Sequence, residues 1–422
     1  MFPADVPFHH VRLHVDAPEL ADVGAQTFSA LLNSGVSLVA GTEVAIAVGS
    51  RGITNLASVV ARIAAWVRSQ GATPFIVPAM GSHGGATGPG QAEVIASYGI
   101  TAESIGCEIR SSMDVVELDR GDSPVPVVMD AHAARAAGVI LVNRVKPHTD
   151  FHGPYESGLV KMAAIGLGKQ VAADAIHAHG VRGLREIMPL VGRRVLDSGR
   201  VLLGVALVEN AREGTLAVEA IPAARIAARE PALLELAARH LPALPVSALD
   251  VLLVDRMGKD ISGVGLDTNV IGRVLINGQP DAASPVISMI GCHSLTPASH
   301  GNATGMGLAD VVTRTFADSI DHAATRTNIV TSGFLLRGKL PVVADDAAQL
   351  WELCLRGAGV VDVSTVRALR IVDTLHCDAL WVSDAVFAEL APRSDVELLA
   401  SGLRLHDETR SLRPFAGGGN AA

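Results

Sequence analysis

The sequence predicts an α/β protein of two doubly wound domains with an active-site cleft between them. Three observations carry that expectation. Short apolar runs alternate with helical patterns along the chain, and apolar residues make up 49% of it while aromatics supply only 3%. A proline-rich stretch, LPALPVSALD at 241–250, separates two such alternating regions. A core of Ala, Val, Leu and Ile suits parallel strands buried on both faces, and strand–helix alternation is the pattern of an open wound sheet.

The elements follow in order. VAIAV (44–48) reads as a buried strand, and Leu56, Val59, Val60, Ile63 and Val67 then fall on one face of a helix capped by Thr54 or Asn55. FIVPA (75–79) is a second strand, followed by a glycine loop and a helix near 90–98; VILVN (139–143) and VLLGVALV (201–208) are the third and fourth. An Ala/Leu-rich helix at 225–240 leads into the prolines. Beyond them VLLVD (251–255), PVISMIG (285–291), ALRIVDT (368–374) and ALWVS (379–383) read as strands, and 307–320 and 345–357 as helices. The predicted domains are 1–245, for cofactor binding and catalysis, and 250–400, for the substrate side of the cleft. A tail at 401–422 has a return to the N-terminal domain as one option.

Bulk properties exclude several functions. The net charge of −9, with no basic run, argues against nucleic acid. No apolar stretch reaches membrane-spanning length, and the first residues lack a signal-peptide pattern. Four scattered cysteines without a C-x-x-C fit free thiols rather than a disulfide framework, so a cytoplasmic setting is expected.

Three polar loops follow three predicted strands directly: Gly49-Ser50-Arg51-Gly52, then Met80-Gly81-Ser82-His83-Gly84-Gly85, then Arg144-Val145-Lys146-Pro147-His148-Thr149-Asp150. Ligands bind beyond the carboxyl ends of strands in open α/β sheets, so a parallel sheet would bring Arg51, His83 and His148 to one edge. Each has a plainer role open to it. Arg51 would serve as a surface ion-pair partner, His83 as part of a glycine turn, and His148 as a structural residue behind Pro147. Ser50, Gly81 and Gly84 are candidate cofactor contacts, since glycine lets backbone approach a ligand closely.

Only five lysines occur, against 29 arginines, yet Lys146, Lys161 and Lys169 share one 24-residue stretch. A lysine in the Gly-rich apolar surroundings of Lys161 loses hydration and becomes a nucleophile or tether; a lysine snorkelling from a helix is the alternative. GLGKQ (166–170) lacks the spacing of a phosphate loop. His177 and His179, two apart, would point in different directions from a helix, so one of them is the better ligand.

At these residues the sequence resembles the lactate racemase family, whose members carry a nickel pincer nucleotide. The motifs run in the same order: Arg51 after the first strand, His83 in MGSHGGAT, His148 in VKPHTDFHG, Lys161 in ESGLVKM, and His177 sixteen residues later. The resemblance covers about 40–180. It implies that Lys161 tethers the nucleotide, that His177 completes the nickel coordination, and that His83 and His148 act as acid and base. Arg51 would then hold the substrate carboxylate or a developing alkoxide. The interval from His148 to Lys161 is longer than the family pattern, which lets His152 compete for the second histidine role. The Gly-Ser-Arg-Gly loop lacks the flanking threonine and proline. Both departures point to a divergent subgroup with its own substrate.

The resemblance implies racemisation or epimerisation of a 2-hydroxy acid by reversible hydride transfer, with cofactor-synthesis enzymes as partners. In the C-terminal domain Lys259, Asp260, Asn269, Arg273, His300 and Asn302 stand in polar loops and are candidates for the substrate side, with turn roles equally open. Two rivals remain: a hydrolase or isomerase with an ordinary metal on the His83/His148/His177 cluster, and a non-enzymatic nucleotide or nickel carrier.

Overall fold

The computed structural model describes residues 6–50 and 52–415. Arg51 therefore lies outside the described residues. The chain forms two compact units, one of Ala17–Leu241 and one of Met1–Asp16 with Pro242–Ala422.

The Ala17–Leu241 unit is built on a five-stranded sheet in the order Thr73–Pro78, Glu43–Val48, Gly138–Arg144, Val201–Glu209, Thr215–Pro222. The first four strands are parallel and the last is antiparallel. Alternation along the strands sorts the core into two layers. Val44, Ile46 and Val48 pack with Leu56, Val59, Val60 and Ile63 of the helix Leu56–Ser69. Ala45 and Ala47 face Leu159, Val160, Met162 and Ala163 on the other side. These small residues let the helical run after residue 158 sit close against the sheet. The cap of Leu56–Ser69 falls at one of the two expected residues. Asn55 is the capping residue, but it is left-handed (φ 63°) with no side-chain cap bond; its amide reaches Thr215 Oγ1 at 3.1 Å instead.

Strand order reverses within this sheet. From Glu43–Val48 the chain moves to Thr73–Pro78 on one side, and then to Gly138–Arg144 on the other. The gap between the carboxyl ends of Glu43–Val48 and Gly138–Arg144 is thus a topological switch point, the usual place for a ligand in such a sheet.

The second unit holds an eight-stranded sheet, ordered Val342–Ala344, Val311–Thr313, Val286–Leu295, Ala248–Met257, Ala368–Ile371, Ala379–Ser383, Phe8–Leu13, Val396–Leu403. The first five strands are parallel; the last three are added antiparallel. Three expectations change here. Residues 1–16 belong to this unit, because Phe8–Leu13 fills the slot between Ala379–Ser383 and Val396–Leu403. The chain beyond 400 stays with it as well: Phe415 packs on Trp381 and His10. The helix expected over 307–320 is a short turn at Met306–Leu308, a strand at Val311–Thr313 and a helix at Arg314–Asp318. The β-branched run Val-Val-Thr, buried at all three positions, pairs with Val286–Leu295 and overrides the helical pattern. No helix of the described residues is long and apolar enough to cross a membrane. All four cysteines are free thiols.

Candidate functional site

Ser50 leaves the first strand, the His83 loop leaves the second, and the 144–158 segment leaves the third. Gly49 lets the first loop pass Asn143, whose Oδ1 would lie 2.8 Å from a Cβ there. Ser50 Oγ lies 2.5 Å from His83 Nδ1. In the His83 loop Gly81, Gly84 and Gly85 all have positive φ, the region that glycine enters without strain. A side chain on Gly84 would strike the backbone of Gly90 and Gln91 at 2.6 Å, and one on Gly81 would press on Ile165 at 3.1 Å. Gly81 N–H donates to Gly166 O at 3.3 Å. The His83 loop therefore rests on the helical run that carries Lys161 and His177.

The third loop is closed by a two-way backbone bridge between Lys146 and Ser157. Inside it, the buried carboxylate of Glu156 accepts from His148 N–H at 2.5 Å and Gly153 N–H at 3.1 Å, and lies 3.2 Å from His152 Nδ1. One acid thus shapes the loop from 148 to 153. Asp150 N–H donates to His148 Nδ1 at 3.1 Å, and the Asp150 carboxylate is 3.6 Å from the same nitrogen. The N–H suits an unprotonated Nδ1 and the carboxylate a protonated one, so Asp150 can serve both states of the ring. His148 is mostly enclosed (15% exposed side chain), whereas His152 is open (54%).

The helical run starts at Gly158, whose carbonyl accepts from Asn143 Nδ2 at 3.0 Å. Leu159 and Val160 N–H donate to the fully buried Glu230 at 2.6 and 3.0 Å. Lys161 comes one residue later, half-buried, before the π-helical turn Met162–Gly166. Such turns concentrate at functional sites. His177 is the last residue of the helix Lys169–His177. The residue is exposed at the surface, yet the atoms packed around its ring remove enough hydration to lower its pKa. The Lys161 charge lowers it further, while Asp150 and Asp174 act in the opposite sense. Lys161 and Asp150 therefore both lie within electrostatic reach of His177, and Asp150 also lies beside His148.

Several contributors carried no clear sequence signal. Lys169 and Asp130, both fully buried, form an ion pair at 3.1 Å. Gln91, also fully buried, joins Lys169 to the His83 loop. Glu230 sits within an Ala/Leu-rich helix and reads there as an ordinary surface residue. Lys169 was visible only as part of the lysine cluster. Asp150 and Glu156 lie inside the histidine motif, where their acidity near two imidazoles was the available clue.

In the other unit the substrate candidates occupy carboxyl ends of strands or the loops that follow. Lys259 Nζ donates to Gly263 O at 2.6 Å and Asn328 Oδ1 at 2.8 Å. Asn302 Nδ2 reaches the same Asn328 oxygen at 3.3 Å. Asp260 accepts from Thr296 Oγ1 at 2.5 Å. His300 is exposed and left-handed (φ 47°). Asn269 donates to Asp267, the cap of its short helix. Arg273 is a structural tie: it donates to Leu308 O at 2.9 Å, Asp310 at 2.7 Å and Ile287 O at 3.1 Å, joining neighbouring strands.

A separate hollow of about 420 Å³ is lined by Glu43, Glu108, Arg110, His132, Arg135 and Ala136. It lies at the amino end of the strand Glu43–Val48, away from the loops above, and Arg110 there is neutralised between Glu43 and Glu108.

No family model matches the chain, and no curated protein is similar to it. Among solved structures, the lactate racemase apoprotein from Thermoanaerobacterium thermosaccharolyticum aligns at 11% identity with a TM-score of 0.49, covering 87% of this chain and 99% of that one.

Proposed function

We propose that the chain is a racemase or epimerase of a 2-hydroxy acid that works with a nickel pincer nucleotide held at Lys161. One observation supports this most: Lys161 and Asp150 both act electrostatically on His177, Asp150 lies beside His148, and the His83 loop packs on the same helical run. The order and identity of these residues follow the lactate racemase motifs.

The donor set suits a group that brings its own metal ligands. Among the described residues no three His, Cys, Asp or Glu side chains come together as a protein-only metal site. His177, its pKa lowered by burial and by Lys161, keeps a lone pair for a metal through the neutral range. When bound, the nucleotide would supply a hydride acceptor. Lys161 would provide the attachment and His177 the protein's metal donor. Ser50, Gly81 and Gly84 would let backbone approach the nucleotide.

Removing a proton from Cα of a carboxylate is hard, so the acid/base work falls on the hydroxyl. His83, its Nδ1 engaged by Ser50, would take the hydroxyl proton at Nε2. His148, as the imidazolium, would supply one from Nε2 on the opposite side while its other proton stays on Nδ1 facing the Asp150 carboxylate, and the two roles would exchange for the other enantiomer. The Ser50 hydroxyl rotates to serve either tautomer of His83, and at His148 the Asp150 N–H suits an unprotonated Nδ1 and its carboxylate a protonated one. Arg51 would hold the substrate carboxylate.

The decisive experiment is production alongside the cofactor-synthesis enzymes, followed by intact-mass and nickel analysis and a panel of 2-hydroxy acids. A stable adduct, absent in Lys161→Ala, together with stereochemical interconversion is the expected result. An unmodified mass with full activity would sink the proposal.

A further inference from the structure

We infer that Lys169 and Gln91 form a buried positioning pair that sets the geometry of the His83 loop. The inference rests on His83 being an acid/base group in the reading above. It is carried by a hydrogen-bond chain that runs from the Lys169 ammonium through the Gln91 amide to two carbonyls of the His83 loop.

Lys169 is fully buried and left-handed (φ 54°), an uncommon backbone state for lysine. Its ammonium has three hydrogens and three partners: Pro78 O at 2.5 Å, Gln91 Oε1 at 3.0 Å and the Asp130 carboxylate at 3.1 Å. The Asp130 contact has the distance of an ion pair without hydrogen-bond alignment, since Oδ2 has no hydrogen-bond partner; Oδ1 accepts from Ala133 N–H at 2.8 Å. Burial lowers the Lys169 pKa and Asp130 opposes that shift, so the carboxylate helps keep the amine charged.

A charged donor on Oε1 fixes which way the Gln91 amide faces. The Nε2 hydrogens must then point to the other side, where they meet Gly81 O at 2.8 Å and His83 O at 3.3 Å. Those two carbonyls bracket Ser82, and the second belongs to His83 itself. Pro78, also held by Lys169, is the last residue of the strand that leads into the loop. One ammonium therefore holds the loop's root directly and its crest through Gln91. Lys169 also begins the helix that ends at His177, so the same residue ties the His83 loop to the segment carrying the metal donor.

A nucleophilic role does not fit Lys169, which is sealed from solvent with two hydrogens donated and its charge paired with Asp130. It touches no substrate in this reading; it acts through Gln91. An apolar residue at 169 would free the amide to rotate, and the His83 carbonyl would lose its donor.

The test uses Gln91→Glu in the full chain. The carboxylate keeps an acceptor for Lys169 but removes both donors to the loop. Gln91→Met, close in shape and uncharged, gives the same comparison if the extra carboxylate unsettles the fold. Two readouts are taken. Carbethoxylation of His83 by diethyl pyrocarbonate, followed by peptide mass, should run several-fold faster than in the native chain, with or without cofactor. In the loaded enzyme kcat should fall about 10–100-fold with KM little changed, the size of loss expected when a catalytic group is misplaced by about 1 Å. Native labelling rates in folded variants, with native kcat, would overturn the inference. If the loaded native chain has no racemase activity, the functional reading fails, and the labelling rates still decide whether Gln91 holds the loop.

Discussion

Ser50 Oγ and His83 Nδ1 stand 2.5 Å apart, joining the loops that follow the first and second strands of the N-terminal sheet. The hydroxyl engages the ring at Nδ1, and the proposed proton transfer is assigned to Nε2. Ser50→Ala removes one side-chain hydrogen bond at a partly exposed site, worth about 0.5–1.5 kcal/mol. The expected outcome is a fall in kcat of roughly 3–10-fold with retained cofactor adduct. Loss of the adduct itself would assign Ser50 to cofactor binding instead.

His177 titrates under the influence of Lys161 and Asp150, which act in opposite senses. Lys161→Ala should raise the His177 pKa, because a lowering charge is removed, although burial still holds it below the ordinary imidazole value. Asp150→Asn should lower it further. Because the folded-state pKa is depressed, this group favours the folded state above the unfolded value near 6.5 and loses that contribution as pH falls through the folded value. Ring proton shifts followed against pH in both variants check the two directions. Movement in the same direction in both would contradict the arrangement.

Glu230 is pushed up to about 7, chiefly by burial, with the Leu159 and Val160 N–H groups pulling the other way. Its folded pKa exceeds the reference of 4.5, so its contribution is complete below that reference and disappears as pH rises through about 7. The shift corresponds to roughly 3 kcal/mol. Glu230→Gln keeps an oxygen for both N–H groups and removes the titration. Urea unfolding at pH 5 and pH 8 should show native stability falling between the two and the variant changing far less.

Gly84 has φ 65°, and a Cβ there would lie 2.6 Å from backbone atoms of Gly90 and Gln91. Gly84→Ala should cost about 1–3 kcal/mol through the strained backbone alone, and more through the clash. Chemical denaturation measures the loss. A difference under about 0.5 kcal/mol would mean that the loop relaxes freely.

The parallel strands at the centre of both sheets were legible because each is a compact Val/Ile/Leu run buried on both faces. Phe8–Leu13 was not: FHHVRL carries two histidines and an arginine, and only its neighbours on either side make it a strand. Val311–Thr313 was hidden inside a helical spacing and is decided by pairing across the sheet. At the candidate site, Ser50, His83, His148, Lys161 and His177 could be picked out because each follows a strand or stands in a motif. Gln91 and Glu230 could not. Their role comes from where helices Gly88–Ser97 and Ala223–Arg239 are packed, a tertiary fact without local trace. The π-helical turn after Lys161 likewise leaves no periodicity to read.

The place of Phe8–Leu13 between Ala379–Ser383 and Val396–Leu403 sets a timetable for biosynthesis. That strand leaves the ribosome early, but its two partners follow about 370 and 390 residues later, tens of seconds at ~10 residues per second. Meanwhile the Ala17–Leu241 unit can fold on the growing chain as an inserted domain, with a loose strand ahead of it. A waiting segment with two unpaired edges needs shielding until the last part of the polypeptide arrives. Circular permutation that moves 6–16 behind residue 415 should therefore shorten the wait and raise the yield of folded protein.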